Sequence, residues 1–554
     1  MKRKISLFLL FTLFVSLISD ACTNYIVTRG ASADGSTFIT YSADSHVLYG
    51  ELYYKPARDY PENAMMRIYE WDSGKFLGEI KQVRHTYSVV GNMNEYQVSI
   101  GETTFGGREE LVNPEGIIDY GSLIYLALQR AKTAREAIQV MTSLVDEYGY
   151  YSSGESFSIA DKNECWILEM LGKGKGKKGA LWVAVRIPDG YVSGHANQSR
   201  ITTFPLNDPE NCLYDKEVIS FAREKGWYTG PDKEFSFSDA YAQPDFGGAR
   251  FCDIRVWAFF NHIADGMDKY QDYVSGHIKI ENGKVVGRMP LYIKPKRKIT
   301  VQDMMFFMRD HLEGTAFDMT KDIGAGPWGL PYRWRPLTWK VDEKTYCNER
   351  ATATQQTGFV FVAQARNWLP DPIGGIFWFG VDDANTTVFS PMYCGINKVP
   401  PAYAEGDGNM LQFSNDAAFW VFTMVSNFTY LRYSYMIEDV RKVQKELEDK
   451  FVSYMPAIDL AAKNLYDKNP ELARQFLTDY SVNTGQAVVE RWKQLFQYLI
   501  VKYHDGNIKK EKDGQFETNG YGMPVSPSQP GYPEWFLKKI VEDKGSFLEA
   551  PSGH

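Results

Sequence analysis

The sequence predicts an α+β fold in which paired helices lie over antiparallel strands, and three observations carry that expectation. Short runs of β-branched and aromatic residues bounded by turn residues recur from Thr23 to Ser390. Amphipathic helical stretches interrupt them after Tyr120. From Asn415 onward the strand pattern gives way to sustained helical periodicity.

In chain order, the first element is a targeting segment. Lys2-Arg3-Lys4 precedes an apolar run from Ile5 to Ile18, and Ser19, Asp20 and Ala21 supply a small-residue cleavage context, so residues 1–21 read as a secretory signal. The run is short for a transmembrane helix. Ordinary cleavage by signal peptidase would make Cys22 the first residue, with no stable membrane insertion afterwards. Lipidation of Cys22 and an uncleaved anchor are the alternatives, although Ser19 and Asp20 suit a lipid-attachment pattern poorly.

Thr23 to Thr28, the turn-rich Arg29 to Ser36 and Thr37 to Ala43 then spell a strand, a loop and a returning strand. If the hairpin is symmetric about that loop, Cys22 faces Ala43 and Asp44 lies beside the new amine. Further strands are expected at Tyr87–Val90, Gln97–Gly101, Ser156–Ala160, Cys165–Met170, Leu181–Ile187, Gly190–Ala196, Phe359–Ala363, Ile376–Val381 and Thr387–Ser390. Helices are expected at Tyr120–Ala131 and after Thr133, where Thr133-Ala134-Arg135-Glu136 spells a capping box. Ile138, Met141, Leu144 and Val145 form the apolar face of the second. C-terminal periodicity runs from Asp416 to Lys450, restarts at Asn469-Pro470-Glu471, and places Val488, Trp492, Leu495, Phe496 and Leu499 on one face. The glycine- and lysine-rich stretch Gly172 to Gly179 lacks the ending of a phosphate-binding loop and runs into a strand, so it reads as a hairpin tip.

Composition narrows the function classes. Removing residues 1–21 leaves 58 basic and 68 acidic residues, a formal charge of −10, which argues against nucleic acid as a partner. The 6 cysteines show no close pairs and the 8 histidines no ligand spacing, so neither a disulfide scaffold nor a metal or other cofactor is called for. Oligomeric state stays open, a homo-oligomer included.

The chemistry centres on Cys22. At a new N-terminus it would combine a thiol with an α-amine of ordinary pKa about 7.7 to 8.0, nucleophile and base in one residue. A free thiol is only a few per cent ionised at neutral pH, so it needs such a base or a nearby positive charge. Attack on an amide would generate an oxyanion that fixed donors must meet.

At this point several dispersed motifs resemble one family. Cys22-Thr23-Asn24-Tyr25-Ile26-Val27, Asp34-Gly35-Ser36-Thr37 and Ser42-Ala43-Asp44 are similar to the opening of the bacterial N-terminal-cysteine dipeptidases, to which the secernins are related. Gly91-Asn92-Met93-Asn94-Glu95, Ile100-Gly101-Glu102-Thr103-Thr104, Trp166 to Glu169, His195 to Ile201, Arg309 to Thr315 and Gly326 to Gly329 continue the resemblance in order, across roughly residues 22–390. It implies an N-terminal nucleophile hydrolase: a four-layer αββα sandwich of two antiparallel sheets, in a superfamily that includes penicillin V acylases and bile salt hydrolases. On this reading residues 22–410 form that domain, 411–505 an additional helical region packed on it, and 506–554 an irregular tail.

Carried over position by position, the resemblance makes Cys22 the nucleophile, Asp44 the acid orienting its amine, Asn197 an oxyanion donor and Arg250 an active-site arginine. The second oxyanion donor falls at Thr103 or Thr104, with Thr104 preferred. Tyr41 stands where relatives often carry arginine, so that charge is absent or supplied elsewhere. Arg255 reads as an ion-pair partner, Glu169 and His195 as structural hydrogen bonders, and Asn197 alone as a turn residue or glycosylation sequon. A substrate amine would meet Asp44 or Glu169, and a carboxylate Arg200 or Arg250. The expected activity is an exported, secreted or periplasmic cysteine dipeptidase acting on dipeptides or short peptides. An acylase of the same mechanism and a lipid-anchored surface binding protein are the alternatives.

Overall fold

Most strand-forming runs in this chain are joined by short turns, and short turns produce antiparallel pairing. The structure, a computed structural model, describes residues 22–551, so the expected signal segment lies outside the described residues. Its principal strands are β1 (Asn24–Val27), β2 (Thr37–Asp44), β3 (Ser99–Gly106), β4 (Gly154–Ala160), β5 (Cys165–Gly172), β6 (Ala180–Arg186), β7 (Val192–His195), β8 (Thr357–Ala365), β9 (Ile376–Val381) and β10 (Ser390–Tyr393). One seven-stranded sheet runs from the edge pair Tyr292–Ile293 through β7, β1, β2, β8 and β9 to β10. The second, eight-stranded, runs from Cys212–Tyr214 through β6, β5, β4 and β3 to short strands at Met93–Asn94, Val89–Val90 and Tyr54–Lys55. All their pairings are antiparallel.

The sheets stack where β1 and β2 cross β3 and β4. Gly101 shows how tightly: a Cβ there would lie 2.2 Å from Asn24 Oδ1 and 3.1 Å from Tyr41 Cβ, so any side chain would push the sheets apart beside Cys22. Helices α1 (Tyr120–Leu128) and α2 (Ala134–Tyr148) cover the outer face of the second sheet. There Ile100, Phe157, Leu168 and Met170 meet Leu123, Ile138, Met141 and Val145 in one buried cluster. Helices α3 (Ile254–Ile263), α4 (Val301–Met308), α5 (Ala418–Tyr430), α6 (Tyr433–Tyr466) and α7 (Pro470–Lys502) cover the first sheet. The result is helix, sheet, sheet, helix, the expected sandwich. The face bearing Val488, Trp492, Leu495 and Leu499 is buried in the same core cluster as β9 and β10, so α7 belongs to the outer helix layer itself.

Local expectations hold in most places. Gly172 pairs with Ala180, closing the hairpin whose tip is the lysine-rich stretch. Thr133 accepts from the Glu136 amide at 3.2 Å, but the Glu136 carboxylate reaches back to the Lys132 amide at 2.7 Å, one residue earlier than a capping box requires. Three expectations need correction, the first being the run Asp416–Lys450, which divides into α5 and α6 at Leu431 and Arg432 and continues to Tyr466. The strand expected at Thr387–Ser390 begins at Ser390, because Asp383 first accepts the Thr386 and Thr387 amides in a turn. The tail expected to be irregular contains a small ribbon, Glu511–Lys512 with Gln515–Phe516, and a helix α8 (Glu534–Lys544). Among the described residues no helix is long and apolar enough to cross a membrane.

Candidate active site

The hairpin register decides where Cys22 sits. Val27 pairs with Phe38, Ile26 with Ile39, and Thr23 bridges Ser42, the symmetric arrangement expected, so Cys22 continues opposite Ala43 with Asp44 one residue on. Between Ala43 and Asp44 the pairing of β2 with β8 skips Gly358, a bulge of the kind that re-aims side chains beside functional sites. Asp44 is buried and accepts from Arg350 Nη2 at 2.6 Å, Thr357 Oγ1 at 2.7 Å and Ser42 Oγ at 3.2 Å.

Cys22 is 5% exposed and lines a cavity of about 440 Å³ together with Tyr41, Asp44, Asn92, Glu102 and Thr104. Its Sγ lies 3.6 Å from the Tyr41 hydroxyl and 3.5 Å from Glu102 Oε1, and Tyr41 donates a short hydrogen bond to that same carboxyl oxygen. Burial, then the charges of Glu102 and Asp44, push the thiol well above its ordinary value. As placed, the sulfur is therefore a protonated thiol and needs a base to become a nucleophile. The buried imidazole of His195, which pairs with Asn24 on the neighbouring strand of the same sheet, does not supply one. His195 is held by Thr103 Oγ1 and Ser158 Oγ at 2.7 Å each, and burial lowers it to about 3, so it is a neutral structural bridge.

Asn197 occupies a left-handed turn just after β7, with φ of 57°, a conformation asparagine tolerates. Its Nδ2 donates to Thr104 O at 2.7 Å, and its Oδ1 accepts from Arg255 Nη2 at 2.8 Å. Glu169 holds the loop that follows, accepting from Ser199 Oγ at 2.5 Å and the Arg200 amide at 2.6 Å, a structural role as expected. Arg200 is likewise structural, committed to Asp253, Gly194 O and Pro290 O.

The arginine that reaches Cys22 is Arg255 rather than Arg250. Arg255 Nη1 donates to Cys22 O at 2.6 Å and Thr23 Oγ1 at 2.8 Å, so this guanidinium joins Cys22 to Asn197. Arg250 instead pairs with Glu349 at 2.5 Å, donates to Ser275 O and packs over Phe317. Arg250 lies within a π-helical turn, Gly248–Asp253, and Arg255 in α3 directly after it. Arg255 reaches the Cys22 carbonyl and Arg350 the Asp44 carboxylate, on the side of the chain where Tyr41 brings no charge.

Strand alternation resolves the threonines. Thr103 turns to His195, while Thr104 lines the cavity, but its single hydroxyl hydrogen is directed at Glu155 Oε1 at 2.6 Å. Thr104 thus shapes the site without being placed to donate to an oxyanion. Asn92 lines the cavity, which Asn197 does not, and one hydrogen of its amide goes to Ile100 O at 2.9 Å. Four residues at this centre were given no role there by sequence: Tyr41, Glu102, Arg255 and Arg350. Glu102 lay within a quoted motif, yet nothing local marks a strand glutamate as facing a cysteine 80 positions away.

Comparison with known proteins gives the family. The chain is 24% identical over 469 residues to a protein named "Probable dipeptidase" from Latilactobacillus sakei, covering 81% of this chain and 89% of the relative. It is 25% identical over 510 residues to "Probable dipeptidase B" from Lactococcus lactis subsp. lactis (strain IL1403), covering 87% and 95%. It is 24% identical over 423 residues to "Dipeptidase" from Bifidobacterium longum (strain NCC 2705), covering 70% and 73%. The profile of Peptidase family C69 matches residues 21–446, beginning one residue before the cavity cysteine. The chain is a peptide hydrolase belonging to peptidase family C69.

Proposed function

We propose that this chain is an exported cysteine dipeptidase, matured by signal peptidase cleavage before Cys22 and released to a periplasmic or extracellular setting. The observation that carries the reading is a buried cavity thiol, at the junction with a signal-like segment, whose hydrogen-bonding neighbours Tyr41 and Glu102 include no histidine. A free α-amine on Cys22 would provide the missing base. The amine takes the thiol proton directly or through a water, and the ammonium so formed stabilises the thiolate against the neighbouring carboxyls. Asp44 holds that amine, and Arg255 fixes the Cys22 carbonyl and the Asn197 amide.

Sγ then attacks the scissile carbonyl, and the oxyanion is met by the Asn197 amide with Asn92 as the second donor. The ammonium returns its proton to the leaving nitrogen, the C–N bond breaks, and the first product departs. Water, deprotonated by the same amine, hydrolyses the thioester and frees Cys22. The test is a panel of unmodified dipeptides assayed beside penicillin V and a conjugated bile salt. Dipeptide turnover with inert acylase substrates is expected; acylase turnover with inert dipeptides would overturn the proposal.

A further inference from the structure

Glu102 and Glu155 are both 1% exposed, and neither role above uses them. On paired strands β3 and β4, Thr104 stands opposite Glu155 and Phe157 opposite Glu102, so both acids project from one face as diagonal neighbours. Glu102 Oε2 and Glu155 Oε2 meet no donor from any other described residue, and the two carboxyls can satisfy each other only by sharing a proton. Among the described residues neither acid has a cationic partner: Arg255 is committed to Cys22, Thr23, Ala196 and Asn197, and Lys55 at the cavity pairs with Glu405 at 3.2 Å. A buried, orphaned carboxyl oxygen is costly unless it is protonated or meets a cation.

The cavity beside this pair is otherwise largely apolar, walled by Met66, Trp71, Val89, Ile124 and Phe359. In a dipeptide the α-nitrogen lies two bonds from the carbonyl carbon that Sγ attacks. A group that reads it must therefore sit next to the sulfur, as Glu102 Oε1 does at 3.5 Å.

We propose that Glu102 receives the free α-ammonium of the substrate while the apolar wall receives a large N-terminal side chain, which makes the enzyme selective for unblocked dipeptides that begin with a residue such as leucine. The inference rests on the dipeptidase reading above. Two adjacent buried carboxyls hold one proton between them, since both cannot ionise together. The arriving ammonium stabilises the Glu102 carboxylate, and the proton settles on Glu155, whose other oxygen is already held by Thr104. No charge is created in the site: one anion meets one cation.

The experiment compares kcat/KM for leucylalanine, N-acetyl-leucylalanine and glycylalanine in the wild type, Glu102→Gln and Glu155→Gln. A charge-assisted contact in a buried site is worth about 10- to 100-fold, so Glu102→Gln is expected to collapse the wild-type preference for the free over the acetylated peptide by that factor, mainly through KM. Glu155→Gln keeps an anion at Glu102 and is expected to retain the preference. Leucylalanine is expected to exceed glycylalanine by about 10-fold or more, the value of burying a leucine side chain. Glu102→Gln lowering both leucyl substrates equally would overturn the proposal while leaving the dipeptidase reading intact, because Glu102 would then act on the sulfur alone. A wild type inert toward every dipeptide would instead sink the underlying reading.

A second measurement on the wild type needs no variant to fold. 3-Methylbutylamine is expected to inhibit competitively and 3-methylbutanol to inhibit far less. Equal inhibition by the amine and the alcohol would overturn the ammonium assignment.

Discussion

Cys22→Ser is expected to fold as the parent does and to lose peptide hydrolysis by on the order of 1,000-fold or more, since a hydroxyl in this setting is a far weaker nucleophile than a thiolate. The structural half of the expectation follows from size and contacts. Serine is nearly isosteric, and its hydroxyl finds the same two neighbours, Tyr41 and Glu102, that the thiol approaches. Its melting temperature should therefore stay within about 2 °C of the parent. The chemical half follows from Cys22 being the one thiol that lines the cavity among the described residues. The remaining cysteines, Cys165, Cys212, Cys252, Cys347 and Cys394, are unpaired and do not line the cavity with Cys22. Dipeptide turnover and thermal unfolding on the same preparation check both halves. Near-parental turnover would mean that another group attacks the substrate.

Asp44→Asn is expected to reduce activity by about 100-fold and also to move the acidic limb of the pH profile. The sign follows from charge. An anion beside an amine favours its protonated form, so removing the anion lowers the amine's pKa and makes the free base available at lower pH. The acidic limb of kcat/KM should therefore shift downward by about one pH unit. The same change removes the buried partner of Arg350, paired at 2.6 Å, so a measurable loss of stability accompanies it. A pH titration of kcat/KM, run well below the unfolding temperature, separates the two effects. An unmoved acidic limb would show that another group sets the amine's protonation.

Much of this centre is legible in the sequence because it depends on local spacing. The symmetric loop between β1 and β2 gives the register that brings Asp44 to Cys22, and strand alternation gives the layers. Glu169 and His195 illustrate the same point from the bland side, since both are the structural hydrogen bonders the sequence reading makes them. What spacing does not reveal is any relation set by a backbone irregularity or by contact between sheets. The resemblance points to Arg250, yet the arginine that reaches Cys22 is Arg255, just beyond the π-helical turn before α3. The Glu102 carboxyl meets Cys22 only because the sheets approach closely at Gly101, where a missing side chain is the sole local trace. Arg350 reaches Asp44 across 306 residues of chain, a separation at which no periodicity argument operates.

The account rests on where the active polypeptide begins. Intact mass and N-terminal sequencing of the exported, catalytically active protein test it most directly. The predicted result is a chain that starts at Cys22 with an unmodified α-amine; active material that starts at any other residue, or carries a lipid or acyl group on Cys22, would contradict it.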